Sequence, residues 1–137
     1  MQNQTLQTND LALRAEEDIV RVRQAARAAA IGAGLSLVDQ TKLVTAASEL
    51  ARNTMIYGGG GQAKVEVLEN GGRKGVRITF EDQGPGIANL EQALTDGYTT
   101  GGGLGLGLSG AKRLCNEFEL RSEPGKGTTV VITRWKG

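Results

Sequence analysis

The sequence predicts an α+β fold, a mixed and mostly antiparallel sheet with helices on one face. Two observations carry this expectation. Apolar residues recur at helical spacing in the first half of the chain and mainly at a spacing of two in the second. Glycine clusters separate these stretches, so elements end where the period changes. At 137 residues the chain fits one compact domain, 1–137, whose core must come from Ala, Val, Leu and Ile because aromatics make up only 4 %.

The polar start, residues 1–9, offers little to bury and is expected to be flexible. Leu11 to Arg14 alternates enough for a short edge strand. Glu16 to Ala30 is predicted helical, because Ile19, Val22, Ala26 and Ala29 share one face and Gly32 and Gly34 end the segment. A second helix is predicted over Asp39 to Met55, with Leu43, Ala47, Leu50 and Ala51 as its apolar stripe and Gly58 to Gly61 as its stop. Ala63 to Leu68 and Val76 to Phe80 alternate as strands around the hairpin chemistry of Asn70-Gly71-Gly72. A loop with Gly84, Pro85 and Gly86 leads to a predicted short helix near Asn89 to Leu94 and then to the glycine-dense stretch Gly97 to Gly107. The last elements are a helix from Leu108 to Glu117 and strands at Phe118 to Ser122 and Thr129 to Arg134, which flank the turn Pro124-Gly125-Lys126-Gly127.

Composition narrows the chemistry. Sixteen basic and 15 acidic residues give a formal charge of +1 with no basic block, so nucleic acid is not an expected partner. No stretch approaches the ~20 apolar residues of a membrane span, and no leader pattern opens the chain, so a cytoplasmic protein is expected. A single cysteine, Cys115, has no internal disulfide partner, and its neighbours Leu114 and Phe118 favour packing over reactivity. With no histidine, the usual zinc clusters and imidazole catalysis are unavailable.

Three constellations remain. Glu49 and Asn53 stand four apart on a helix and project from one face. Asn53 offers a neutral oxygen suited to magnesium, and Glu49 a carboxylate that could orient or deprotonate a hydroxyl, although the same spacing fits a solvated polar face. Asp82 ends an apolar strand before Gly84-Pro85-Gly86. There it could accept from an exocyclic amine such as that of adenine, or simply make a turn. Gly101-Gly102-Gly103-Leu104-Gly105-Leu106-Gly107 opens a helix and could aim backbone amides at phosphates, with a linker as the plainer alternative. Gly105 to Gly110 also matches the dinucleotide fingerprint, but the required buried strand before it is missing, since Asp96 to Gly103 is polar and glycine-rich. Neither a phosphate-binding Gly-x4-Gly-Lys loop nor a His-Arg-Asp catalytic loop occurs.

In order, Glu49-x-x-x-Asn53, Asp82-x-Gly84-x-Gly86 and Gly103-x-Gly105-x-Gly107 resemble the nucleotide-binding boxes of the gyrase, heat-shock chaperone, histidine kinase and MutL ATPase superfamily. The resemblance implies the Bergerat ATP-binding sandwich, with Asn53 on magnesium, Asp82 on the adenine amine, Gly84 and Gly86 beneath the ring and residues 96–107 as a lid. Within that lid it assigns Thr100, Gly101, Gly102, Gly103, Leu104, Gly105, Leu106 and Gly107 to ATP. Gly127-Thr128-Thr129 is similar to the family's threonine-bearing segment, which puts Thr128 and Thr129 beside the base. Glu49-Leu50-Ala51-Arg52-Asn53, Glu81 to Ile87 and Asp96 to Leu114 are most similar to the serine/threonine switch kinases of the bacterial stressosome, a branch of the anti-sigma regulatory kinases. That resemblance implies Glu49 as catalytic base, STAS-domain scaffold and antagonist proteins as substrates, and a phosphatase activated by binding. An anti-sigma kinase that holds a sigma factor and a non-catalytic nucleotide-gated module are the alternatives. Arg14, Arg21, Arg23 and Arg27 on the first helix suit either a partner surface or a solvated face.

Overall fold

The computed structural model describes residues 3–85 and 107–137. Strands β1 (Gln4–Leu13), β2 (Gly61–Asn70), β3 (Arg73–Asp82), β4 (Glu117–Glu123) and β5 (Gly127–Trp135) form a five-stranded sheet in the order β1-β2-β3-β5-β4. All four pairings are antiparallel. Helices α1 (Glu16–Gly32), α2 (Leu37–Ile56) and α3 (Gly107–Arg113) complete the described residues, with α2 packed between α1 and α3. The expected helix near Asn89 to Leu94 lies outside them.

Local chemistry explains where most elements begin and end. Asp18 reaches back from the first turn of α1, accepting from the amides of Arg14 at 2.9 Å and Ala15 at 3.1 Å, so it satisfies two donors that precede the helical ladder. These bonds, with Arg21 beside them, hold its carboxyl below the usual value. Ser36 caps α2 by accepting from the Asp39 amide at 3.1 Å. Gly71 and Gly72, with φ of 61° and 84°, make the two-residue turn between β2 and β3 that a β-carbon would oppose.

The strands run further than their apolar patterns. Residues 4–9, expected to be flexible, belong to β1, which pairs with β2 from Gln4↔Glu69 to Leu13↔Gly61 with a register shift between Thr5 and Gln7. Most of β1 is exposed, so main-chain bonding to the edge of β2 holds it rather than side-chain burial, and alternation could not report it. Conversely, α3 stops before the expected Glu117. Asn116 is drawn to β5 instead, its amide donating to the Thr133 carbonyl at 3.0 Å and its side-chain oxygen accepting from the Trp135 amide at 2.7 Å.

Helices cover one sheet face. Leu13, Val22, Leu43, Leu50, Ile78, Phe80 and Ile132 are fully buried there, each of the larger side chains stabilising the fold by roughly 1.5–3 kcal/mol. Ala26, Ala30, Ala46, Ala47 and Ala51 are also buried, and their small side chains let α1 and α2 approach one another and the sheet closely. On the opposite face Leu68 and Trp135 are buried on either side of Gly75 in the register. The indole lies over Gly75, where an added β-carbon would stand 2.6 Å from Trp135 Cε3, and its Nε1 donates to Glu117. Arg73 lies 5.8 Å from the ring centroid.

Arg134 joins three elements on the helix face. From β5 it donates to Asp39 of α2 at 2.7 Å and to the Leu114 carbonyl, just past α3, at 3.1 Å. Hydrogen bonding to Arg134 is the main cause of an Asp39 pKa lowered from 3.8. A carboxyl depressed in the native state stabilises it fully above its unfolded pKa and loses that contribution as pH falls through the native value. Cys115 is half-buried, and burial pushes its thiol up to about 11, in keeping with a packing role. Asp39→Asn should therefore reduce unfolding free energy near pH 7 by about 1–3 kcal/mol. The deficit should shrink once the pH drops below the ordinary carboxylate range, which urea denaturation at pH 7 and pH 3 would reveal.

Candidate functional site

One row of paired residues crosses the sheet at its end: Gly61 of β2, Asp82 of β3, Thr128 of β5 and Ser122 of β4. Its members have the parity of the buried residues Ala63, Phe80 and Val130, so they face the helices just beyond the apolar core. The sheet thus changes from apolar to polar while still covered by α2.

Glycine backbone encloses Asp82. An added β-carbon at Gly58, just past α2, would stand 2.5 Å from Asp82 Cβ, and one at Gly84 would stand 2.7 Å from the Gly58 Cα. At Gly61 it would stand 3.0 Å from Thr54 Cγ2, and at Gly127, where φ is 86°, it would run into the Asp82 carbonyl. Thr54 anchors this corner, because its carbonyl accepts from the amides of both Gly58 and Gly60 at 3.1 Å. Asp82 Oδ1 accepts from the Gly84 amide at 2.9 Å, and among the described residues its second oxygen accepts nothing. A carboxylate so placed suits a ligand N–H donor. Close-set backbone around it suits a flat ring.

Glu49 and Asn53 lie on one flank of α2, both half-buried beside the stripe formed by Leu43, Ala46, Leu50 and Thr54. Glu49 Oε1 meets Arg52 at 3.3 Å, with the side chains 24 % and 49 % exposed, so the pair is weak and the carboxylate is available for other work. No described group hydrogen-bonds the Asn53 side chain. Among the described residues no cluster of three Asp, Glu, Cys or His side chains forms a metal cage. A lone amide oxygen instead suits a magnesium ion held largely by water and phosphate.

The structure brings Asp82, Gly84 and Thr128 together, with α2 and its Gly58 end above them. Thr129 is not brought to the site: it pairs with Glu81 and has the opposite parity, on the uncovered face. The alternation with Val130 and Ile132 already implied this, since adjacent residues of a strand cannot share a face. Gly86 and residues 96–106 of the expected lid, including Thr100 to Leu106, lie outside the described residues, and Gly107 is the first residue of α3. Ser122, Gly58 and Gly61 were not among the expected site residues. Arg14, Arg21, Arg23 and Arg27 are all exposed, and Arg21 is paired with Asp18 at 2.8 Å.

Residues 38–136 match the family described as histidine kinase-, DNA gyrase B- and HSP90-like ATPases. The serine/threonine-protein kinase RsbT of Bacillus subtilis is 48 % identical over 120 residues, which cover 88 % of this chain and 90 % of that protein. An anti-sigma F factor of Geobacillus is 31 % identical over 131 residues, 90 % of this chain and 87 % of the relative. The crystal structure of the RsbU and RsbW domains of Rv1364c from Mycobacterium tuberculosis has the same fold. It superposes with a TM-score of 0.63 at 21 % identity, over 98 % of this chain and about a third (32 %) of that one.

Gly58→Ala should force Asp82 out of place and weaken ATP binding at least about tenfold while leaving the sheet intact. At Gly32 an added methyl meets nothing within 4 Å, so Gly32→Ala should bind ATP like the parent. Calorimetric titration of both variants makes the comparison.

Proposed function

This chain belongs to the histidine kinase-, DNA gyrase B- and HSP90-like ATPase family, and from that premise we propose that it is a partner-switching protein serine/threonine kinase of the RsbT type. The observation that carries the reading is the Asp82 carboxylate in its glycine cradle, next to a helix bearing a half-buried glutamate and an unengaged asparagine. ATP is the phosphoryl donor. Asp82 accepts from the adenine amine, Gly84 lets the main chain pass beneath the ring, Thr128 lies beside the base, and the family resemblance assigns Gly86 to the base and Thr100 to Gly107 to the phosphates. The Asn53 side-chain oxygen would hold magnesium, which when bound with the nucleotide neutralises phosphate charge.

Glu49 serves as the base. It takes the proton of a serine or threonine hydroxyl on the acceptor protein as that oxygen bonds to the γ-phosphorus, and ADP leaves with the electrons of the broken P–O bond. Arg52, on the next turn, steadies the carboxylate without burying it. Because Asp82 is on the sheet and Glu49 on α2, nucleotide selection and proton transfer use different elements.

The substrates under this reading are STAS-domain scaffold and antagonist proteins, which release the kinase on phosphorylation so that it binds and activates a phosphatase. A cytoplasmic setting belongs to this reading, and no helix among the described residues is long and apolar enough to cross a membrane. A second reading, an anti-sigma kinase that holds a sigma factor, draws on the anti-sigma F relatives at 31 % identity, well below the 48 % of the RsbT kinase.

Incubation with labelled ATP, magnesium and STAS-domain proteins of the same organism tests the proposal. Phosphoserine or phosphothreonine should appear on the acceptor. Glu49→Gln should keep nucleotide affinity and slow transfer by about 10²-fold or more. Asn53→Ala should abolish the magnesium dependence of ATP binding, as titration with and without the ion would register. Transfer at the parent rate by Glu49→Gln would remove Glu49 as base, and stable capture of a sigma factor with no STAS phosphorylation would favour the second reading.

A further inference from the structure

The turn between β4 and β5 reaches the loop that follows Asp82. It spans Glu123 to Lys126 and is closed by the Lys126 amide, which donates to the Glu123 carbonyl at 3.0 Å. Pro124 takes its second place and Gly125 its third, with φ of 80°, which are the marks of a type II turn. Type II differs from type I by a flip of the central peptide, and it alone of the two needs positive φ at the third residue. Flipped this way, the Pro124-Gly125 peptide points its N–H at the loop after β3, where it donates to the Pro85 carbonyl at 2.7 Å. At the start of β5 Gly127 lies so near that an added β-carbon would stand 3.0 Å from the Gln83 Cα. The turn therefore grips the main chain from Asp82 to Pro85, whose Gly84 amide donates to Asp82 Oδ1 at 2.9 Å.

We propose that Gly125 is a positioning residue for the nucleotide site: it selects the turn type that aims its amide at Pro85, and this bond holds the Gly84 amide, and through it the Asp82 carboxylate, in the orientation that takes the base. The inference rests on the nucleotide reading above and extends that site to a hairpin turn that lends it no side chain. With a residue that disfavours positive φ, the turn relaxes to type I, and the Pro124 carbonyl swings to where the N–H was. Two carbonyl oxygens then face each other, and the chain from Gln83 to Pro85 is pushed away. The hairpin itself stays closed, because both turn types keep the bond from Lys126 to Glu123.

Gly125→Ala, Gly125→Asn and Gly72→Ala, each in the full chain, separate this role from ordinary turn stability. Gly72 has φ of 84° in the β2–β3 turn at the other end of the sheet, and at both glycines an added β-carbon meets nothing within 4 Å. Alanine thus meets comparable backbone strain in each, whereas asparagine tolerates the positive φ of a type II turn. Calorimetric titration should show ATP bound about tenfold more weakly by Gly125→Ala, and within about twofold of the parent by Gly125→Asn and Gly72→Ala. Amide exchange followed by NMR should show the Gly84 amide opening faster in Gly125→Ala alone. In the parent, the Gly125 amide should exchange slowly although the residue is exposed, a measurement that needs no variant. Equal ATP affinity for Gly125→Ala and Gly72→Ala, or fast exchange of the parent's Gly125 amide, would overturn this inference alone. A parent that binds no ATP would overturn the nucleotide reading and this inference with it.

Discussion

The close approach of α2 to the end of β3 governs the rest of the structure. Gly58 packs directly on Gly84 and on the Asp82 side chain, and any side chain at either glycine would occupy space already filled by backbone or carboxylate. Only main chain fits, so the carboxylate is held by contact on several sides and by the Gly84 amide. Rigid backbone, rather than mobile side chains, sets the position of the ligand-facing acceptor, which keeps its geometry independent of rotamer choice.

That geometry depends on a sheet whose two faces do different work. On the helix face apolar rows fill the middle, with a polar feature at each end: the Asp82 row at one, the Arg134–Asp39 pair at the other. The apolar middle stabilises the layers. Arg134 ties α2 and the exit of α3 to β5, so the helix bearing Glu49 and Asn53 is fixed relative to the strand bearing Thr128. On the opposite face, Trp135 lies over Gly75 beside the buried Leu68 strand position, and Glu66 and Arg77 pair at 3.0 Å, which anchors β2, β3 and β5 without any helix above them.

The division between sheet and helix also bears on chemistry. Binding groups come mainly from backbone and from strand residues whose directions the register dictates, whereas the proposed base and metal ligand stand on α2 with more freedom. A weak surface pair such as Glu49–Arg52 restrains a side chain without removing it from water. Under the proposed reading, such an arrangement would let a partner's hydroxyl reach the carboxylate while the nucleotide site stays intact.

Period and punctuation alone determined the two-layer class and the order of the described elements after residue 10, because burial at spacing 3.6 or 2 leaves a direct imprint on residue choice, and they put Asp82 at a strand end where a turn and a ligand-facing acceptor read equally well. Glu49 and Asn53 were legible for the same reason, as polar residues one turn apart beside an apolar stripe. Strand ends and β1 were not, since main-chain hydrogen bonds hold them and those are blind to side-chain identity. Nor could spacing show that Gly58, just past α2, packs on Asp82, or that Ser122 meets Thr128 through the register of β4 and β5. The tertiary structure decided that meeting, and it also separated Thr128 from Thr129, because pleating sends adjacent residues to opposite faces and only the packed helices determine which face encloses a ligand.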